Sequence, residues 1–147
     1  MVGKVFKIGI AKLGSEIIEN VNSVNAIKNS GLNGDRFCKN NNDKRLQLTI
    51  IEKEVIDNYN KITNRNFEYE SFRRNIIVKN IKLNELVNKE LFIGNVKIKV
   101  HDLCEPCKHL QDILNESGLV KNLLHRGGIR CEIMTNGIIS IGDNIKL

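Results

Sequence analysis

Several residue types are scarce in this chain, and each shortage argues against a class of function. The 147 residues include no tryptophan, and aromatic residues make up only 5% of the chain. Because single-stranded nucleic acids are bound by stacking bases on aromatic side chains, such a surface is poorly supplied here. The net charge of +6 suits an anionic small molecule, a phosphate-bearing cofactor or a nucleic acid. With few aromatics and no continuous basic stripe, nucleic acid is the least favoured of the three.

Long apolar runs and a secretory signal are also missing. No run approaches the ~20 residues that a membrane span needs. Residues 1–7 have the pattern of a strand rather than of a signal peptide. Four cysteines without a secretory signal indicate free thiols in a reducing compartment. We therefore expect a cytoplasmic protein without membrane contact, folded as a single domain over residues 1–147.

Short stretches that alternate between apolar and polar residues dominate the chain and predict strands. Residues 17–29 are divided by Asn22-Ser23 into two short strands expected to pair with each other, and Gly94-Asn95 is a hairpin turn signal. Glycines predict a loop at Gly31–Phe37, and Lys39–Lys44 is the expected flexible tip. Other strands are predicted at residues 3–11, 46–50, 76–78, 91–93, 96–100, 129–133 and twice after Asn136-Gly137, and helices at 52–64, 107–116 and 118–125. About eight to ten strands with two or three helices indicate a mainly-β fold, a barrel.

The only proline of the chain, Pro106, lies within Cys104-Glu105-Pro106-Cys107, where a strand gives way to a helix. Cys107 is then expected in the first helical turn. Unpaired backbone N–H groups and the positive end of the helix dipole favour a thiolate there. Because a thiolate is both a nucleophile and a soft metal ligand, Cys107 is the first candidate for chemistry.

Three other interpretations of this Cys-x-x-Cys pair stay open. Half of a structural zinc site would need a second pair of ligands, whereas Cys38 and Cys131 stand alone. A thioredoxin-like dithiol would need a βαβ context that the surrounding strands do not provide. Two buried packing thiols are the third interpretation, since free cysteines are often buried.

Arginines beside turns or strand ends occur in three segments, Gly34–Arg36, Phe72–Asn75 and His125–Arg130. Arginine can bind phosphate with two hydrogen bonds, and glycine lets the backbone approach a ligand closely. Each of these arginines can equally be a solvated surface residue. The sequence alone leaves open whether the three segments converge on Cys107.

In their order and spacing, these motifs resemble the MOSC domain. This domain is the C-terminal module of molybdenum cofactor sulfurases and also occurs as short standalone bacterial proteins. The resemblance covers nearly the whole chain. It rests on Gly31–Arg36, Arg45–Thr49, Arg73–Val78, Leu103–Leu110, His125–Arg130 and the closing Gly137 to Asp143.

The resemblance implies a β-barrel-like fold and a functional thiol at Cys107. In the sulfurases the matching cysteine is thought to carry sulfur, as a persulfide, for the molybdenum cofactor. In the related amidoxime-reducing proteins it ligates molybdenum, and the enzyme reduces N-hydroxylated compounds. We therefore expect Cys107 as sulfur carrier or molybdenum ligand, with Cys104 able to resolve a persulfide or disulfide on it. The phosphate of the molybdopterin is expected to bind some of the four arginines in the following set. The expected cofactor-binding residues are Asp35, Arg36, Arg45, Arg74, Asn75 and Arg126.

Three departures from the family pattern shape these expectations. The chain has no room for the pyridoxal-phosphate desulfurase domain of the sulfurases, so no pyridoxal-phosphate site is expected. A carrier role would need a separate cysteine desulfurase or a molybdoenzyme as partner. The extra N-terminal β-barrel region of the amidoxime-reducing proteins is also missing. Phe37 stands where many family members carry histidine after Gly-Asp-Arg, so no role is transferred for that histidine. A non-catalytic binding or adaptor module is the remaining alternative.

Overall fold

Strands dominate the computed structural model, which describes residues 2–147. The strands of this range are β1 (Gly3–Ile10), β2 (Glu19–Val21), β3 (Ser23–Ile27), β4 (Gly31–Leu32), β5 (Leu48–Glu52), β6 (Ile76–Lys79), β7 (Glu90–Ile93), β8 (Val96–Leu103), β9 (Ile129–Ile133), β10 (Gly137–Ser140) and β11 (Asn144–Lys146). The helices are α1 (Lys53–Thr63), α2 (Lys108–Ile113) and α3 (Leu119–Asn122), with 3₁₀ turns at Tyr69–Phe72 and Leu83–Leu86. Within the described range, none of these helices has the length and apolar character to span a bilayer.

Seven of the strands close into a barrel in the order β1-β11-β7-β8-β9-β5-β6, and β6 returns to β1. All neighbours are antiparallel except β5 and β6, which run parallel. Strand β2 adds to β1 outside this ring, and β10, β3 and β4 form a separate three-stranded sheet. Closure satisfies the backbone groups that an open sheet edge would expose. The predicted mainly-β barrel is confirmed.

The barrel interior is an aliphatic core built by alternation along each strand. In β8, Val96, Ile98 and Val100 are buried, whereas Lys97 and Lys99 between them stay partly exposed. Equivalent inward positions of the other strands complete this cluster. A period of two residues therefore decides which side chains enter the core.

A second apolar cluster lies outside the barrel, beneath the helices. Val55, Ile56 and Tyr59 of α1 pack with Phe72 and Leu110. Helix α1 ends at Thr63 and is capped by Asn64, which takes the left-handed conformation at a φ of 54°. Leu110 comes from α2, so this cluster fixes α2 against the barrel at the end where Cys107 lies.

Four local expectations differ from the structure. The two short strands within residues 17–29 exist as β2 and β3 but do not pair with each other, because β2 pairs with β1 and β3 with β10 and β4. The expected loop at residues 31–37 begins with strand β4. The expected flexible tip contains Asn42, which is buried and donates to the carbonyls of Ser30 and Phe37. The two predicted helices at 107–116 and 118–125 are shortened to α2 and α3.

Candidate functional site

A cavity of about 210 Å³ opens at one end of the barrel. It lies where β1 and β8 end and where β5, β6 and β9 begin, so residues from distant parts of the chain meet there. Most of the site residues expected from the sequence line it together, which the sequence alone left open. These residues are Asp35, Arg36, Arg45, Arg74, Asn75, Cys104 and Cys107.

Cys107 is the N-cap of α2 rather than a residue of its first turn. Its Sγ accepts the backbone N–H of Leu110 at 3.5 Å, and its side chain is exposed on the cavity wall. Cys104 also lines the cavity but is buried. The two cysteines of the motif therefore differ in accessibility, and only Cys107 can readily meet a molecule from solution.

Arg74 fixes the loop that carries these cysteines, residues 104–107, which we call the cysteine loop. Its Nε donates to the carbonyl of Gly127 at 2.8 Å, and its Nη2 donates to the carbonyls of Cys104 and Glu105 at 3.3 and 3.4 Å. Because its Nε and Nη2 groups already donate to these carbonyls, Arg74 has fewer donors left for a bound phosphate. The geometry gives Arg74 a positioning role, and its expected phosphate contact stays a prediction.

The segment His125–Gly128 supports the same loop from the other side. Glu105 accepts the backbone N–H of His125 with Oε1 and contacts the ring Nδ1 with Oε2, both at 2.7 Å. A Cβ on Gly127 would lie 2.3 Å from the carbonyl oxygen of Cys104. The glycine here permits a close approach between two backbone segments, not the approach to a ligand suggested by the sequence.

Asp35 and Asn75 also form structural hydrogen bonds. Asp35 is buried, and its Oδ1 accepts the backbone N–H of Ala11 at 2.9 Å. Asn75 accepts both the backbone N–H and the hydroxyl of Thr49 at 3.1 and 3.2 Å and donates to the carbonyl of Gly9. Both residues shape the cavity wall by tying its loops to the strands.

Four arginines line the cavity with guanidinium groups that are not committed to backbone carbonyls of the cysteine loop. Arg36 lies over the ring of Phe37 at 4.9 Å, and Arg45 forms an ion pair with Asp102 at 2.5 Å. Arg73 contacts Glu16, whereas the side chain of Arg130 has neither an ion pair nor a hydrogen bond within residues 2–147.

Arg126 is the expected site residue that lies elsewhere. It is exposed and does not line the cavity. Its charge acts on Glu52, where burial raises the pKa of the carboxyl and Arg126 partly opposes that shift. Arg73 and Arg130 are the arginines that the sequence reasoning quoted within its motifs but did not select. Alternation in β9 was the available signal for Arg130, because it lies between buried Ile129 and Cys131.

A family model described as the MOSC domain matches residues 38–146. The chain belongs to the MOSC domain family. The matched region includes the cysteine loop and most of the barrel. A search of curated proteins found no match.

Solved structures share the whole fold of this MOSC domain. The YuaD protein from Bacillus subtilis aligns with a TM-score of 0.82 at 18% identity, over 99% of this chain and 94% of that one. YiiM from Geobacillus stearothermophilus aligns with a TM-score of 0.78 at 16% identity, over 99% and 74% of the two chains. YiiM from Escherichia coli gives 0.74 at 17% identity, over 100% and 69%. At these identities the likeness concerns the fold.

MOSC domains are associated with the molybdenum cofactor, and the donors in this cavity fit such a group. A phosphate suits guanidinium groups with free donors, and a soft metal suits a thiol. The Nη2 of Arg73 is buried without a hydrogen bond, and Cys107 offers one accessible sulfur. Within residues 2–147, no three His, Cys, Asp or Glu side chains are grouped as ligands for a single ion.

Proposed function

We propose that this MOSC protein binds the molybdenum cofactor in the cavity beside Cys107 and carries sulfur as a Cys107 persulfide for cofactor sulfuration. The observation that supports this most is an accessible thiol on the wall of an arginine-lined cavity. The family association with this cofactor agrees with it.

The arginines of the cavity would hold the phosphate of the cofactor. Arg36 and Arg130 have no carboxylate partner within residues 2–147, and Arg73 has a buried donor without a hydrogen bond. These guanidinium groups can each give two parallel hydrogen bonds to a phosphate. Arg45 can add a fourth guanidinium group to the anion site while it keeps its contact with Asp102.

Sulfur transfer requires only the thiolate of Cys107 and a persulfide on a partner protein. The Cys107 thiolate attacks the terminal sulfur of the donor persulfide, the S–S bond of the donor breaks, and the donor cysteine leaves as a thiolate. Cys107 then carries the transferred sulfur until an acceptor takes it. The donor would be a separate cysteine desulfurase. Buried Cys104, three residues before Cys107, is the candidate to resolve the persulfide: its thiolate attacks the inner sulfur, the S–S bond of the persulfide breaks, and the terminal sulfur leaves as hydrosulfide while a Cys104–Cys107 disulfide forms.

Direct ligation of molybdenum by Cys107 is the second candidate, with reduction of N-hydroxylated compounds as the activity. The observation that favours it is the rigid support of the cysteine loop, which Arg74, Glu105 and Gly127 hold in place. A fixed sulfur suits a metal ligand, because ligand position is set by the surrounding contacts. Bound there, the metal would supply two-electron reduction chemistry.

The deciding measurement is the molybdenum and pterin content of protein purified from a cofactor-producing host, for the wild type, Cys107→Ser and Cys38→Ser. Cys38 does not line the cavity, so its variant is the matched control. Stoichiometric cofactor that only Cys107→Ser loses would favour the metal-ligand role and predicts turnover of 6-hydroxylaminopurine. Without stable cofactor, a carrier should gain the mass of one sulfur on Cys107 when a desulfurase and cysteine are added.

Cys107→Ser should abolish either activity and leave the unfolding transition close to that of the wild type, because Cys107 is exposed. An active Cys107→Ser variant would exclude the thiol mechanism. If native Cys107 resists alkylation and neither cofactor nor persulfide is found, the protein is better explained as a non-catalytic binding module.

A further inference from the structure

The connection between β1 and β2, residues 11–18, runs beside the cavity. Its two ends, Ala11 and Ile18, both line the cavity wall. Between them, Glu16 reaches Arg73: the Nη1 of Arg73 donates to the carbonyl of Glu16 at 2.8 Å, and its Nη2 lies 3.4 Å from the carboxylate Oε2. A segment of the chain therefore supplies a negative charge to a cavity arginine.

Arg73 has a left-handed backbone and a mostly buried side chain, although it contacts an exposed connection. Its backbone is left-handed, with a φ of 63°, and its side chain is only 13% exposed. The Nη2 atom is buried and makes no hydrogen bond of acceptable geometry within residues 2–147, in spite of the nearby Glu16 carboxylate. A buried guanidinium donor without a hydrogen bond is costly, and a better-placed oxyanion would remove that cost.

Between Ala11 and Ile18, the β1–β2 connection is weakly attached apart from this contact. The side chain of Glu16 is 77% exposed, and the apolar side chains of Leu13 and Ile17 are 88% and 72% exposed. A Cβ on Gly14 would meet no atom within 4 Å. The connection thus buries little apolar surface that would oppose its movement.

We propose that Glu16 competes with the ligand for Arg73: its carboxylate ties the β1–β2 connection to this cavity arginine until an oxyanion of the ligand replaces it. The proposal deepens the proposed function, because it concerns the same cavity. The ligand group is of the phosphate class, which can give Arg73 the hydrogen bond that Glu16 does not. Release of Glu16 frees the middle of the connection from Arg73.

The contrast with Arg45 shows why Glu16 is the exchangeable carboxylate. Arg45 is paired with Asp102, which lies within strand β8 and cannot move without disturbing the barrel. Glu16 lies on an irregular connection and is mostly solvated, so its ion pair contributes little to stability. The apparent affinity of a ligand that competes with Glu16 is its intrinsic affinity multiplied by the fraction of molecules in which Arg73 is free.

The test is a titration of the full chain with inorganic phosphate. It is monitored by the NMR signals of the arginine side chains and of the amides of residues 11–18. The variants are Glu16→Gln and, as control, Glu19→Gln. Glu19 is also a partly exposed carboxylate near this connection, but it pairs with Lys12 rather than with Arg73. Both variants change the net charge equally, so a general charge effect would appear in both.

Glu16→Gln should bind phosphate about two- to fivefold more tightly than the wild type, as expected when a competing exposed ion pair is removed. Glu19→Gln should bind like the wild type, and the gain from Glu16→Gln should vanish in the background of Arg73→Gln. Equal affinity of Glu16→Gln and the wild type, an equal gain in Glu19→Gln, or no phosphate-dependent shift at Arg73 would each overturn the proposal that Glu16 competes for Arg73. None of these results depends on Cys107 or on bound cofactor, so the proposed function is judged separately by its own measurement.

Discussion

Arg74 and Arg130 line the same cavity, yet their guanidinium groups have very different surroundings. Arg74 makes hydrogen bonds to three backbone carbonyls of Gly127, Cys104 and Glu105. The side chain of Arg130 makes none within residues 2–147. At the scale of single residues, one arginine therefore builds the site and the other is available to a ligand.

This difference predicts opposite effects of two alanine substitutions. Arg74→Ala should lower the free energy of unfolding by about 1–3 kcal/mol, because it leaves carbonyls of a partly buried loop without donors. Arg130→Ala should change it by less than about 0.5 kcal/mol and should weaken phosphate binding instead. Urea unfolding and a phosphate titration of both variants measure the two effects. Equal losses of stability would mean that Arg130 has a structural role that its contacts do not show.

At the scale of elements, the cysteine loop depends on the segment that passes behind it. A Cβ at position 127 would meet the carbonyl oxygen of Cys104 at 2.3 Å and the nitrogen of Pro106 at 2.8 Å. The atoms in the way belong to the backbone, so they cannot move aside as a flexible side chain can. Glycine at this position is what allows the loop to lie where it does.

Gly127→Ala should therefore displace the cysteine loop and lower the free energy of unfolding by about 1–3 kcal/mol, the usual cost of overpacking. Gly118→Ala is the control, since a Cβ there meets only the end of the Asn122 side chain at 3.3 Å. Urea unfolding gives the free energies, and the alkylation rate of Cys107 reports the position of the loop. If Gly127→Ala keeps both the stability and the alkylation rate of the wild type, the loop is more adaptable than this contact implies.

At the scale of the whole molecule, buried protonated groups in the barrel core and beneath the helices limit stability in alkali. Burial, followed by the hydrogen bond to Glu116, raises the pKa of Tyr59 from 10.0 to about 12. Burial also raises the pKa of the Cys131 thiol in the barrel core. Both groups stay neutral in the folded protein over a pH range in which they ionise in the unfolded chain.

The sign of the pH dependence follows from these raised pKa values. A raised pKa gives stability that is fully present below the unfolded value and is lost as the pH rises through the folded value. The free energy of unfolding should therefore begin to fall near pH 9.0, where the Cys131 thiol ionises in the unfolded chain. Tyr59 adds to the fall between pH 10.0 and about pH 12, and it accounts for about 2–3 kcal/mol at most. Urea unfolding across this range tests it, and Tyr59→Phe should flatten the slope. An unchanged slope in Tyr59→Phe would assign the loss to other groups.

Much of the fold could be predicted from local patterns. Alternation identified β1, β8 and β9, and Gly94-Asn95 identified the hairpin between β7 and β8. The pairing of β2 and β3 was wrong, because two adjacent strands carry no local signal of their distant partners. Strand β3 pairs with β10, which lies more than a hundred residues later in the chain. The buried position of Asn42 was missed for the same reason, since its hydrogen bonds are formed only in the folded chain.

The sequence by itself determined the class of fold and the resemblance to the MOSC family, and it selected the cysteine after Pro106 as the first candidate for chemistry. These follow from the period of two residues, from the order of the motifs and from the strand-to-helix junction, all of which are properties of neighbouring residues. Only the tertiary structure decided which arginines face Cys107, which of them hold the loop, and that Glu16 reaches Arg73. These contacts depend on barrel closure and strand register, which bring together residues that are distant in sequence.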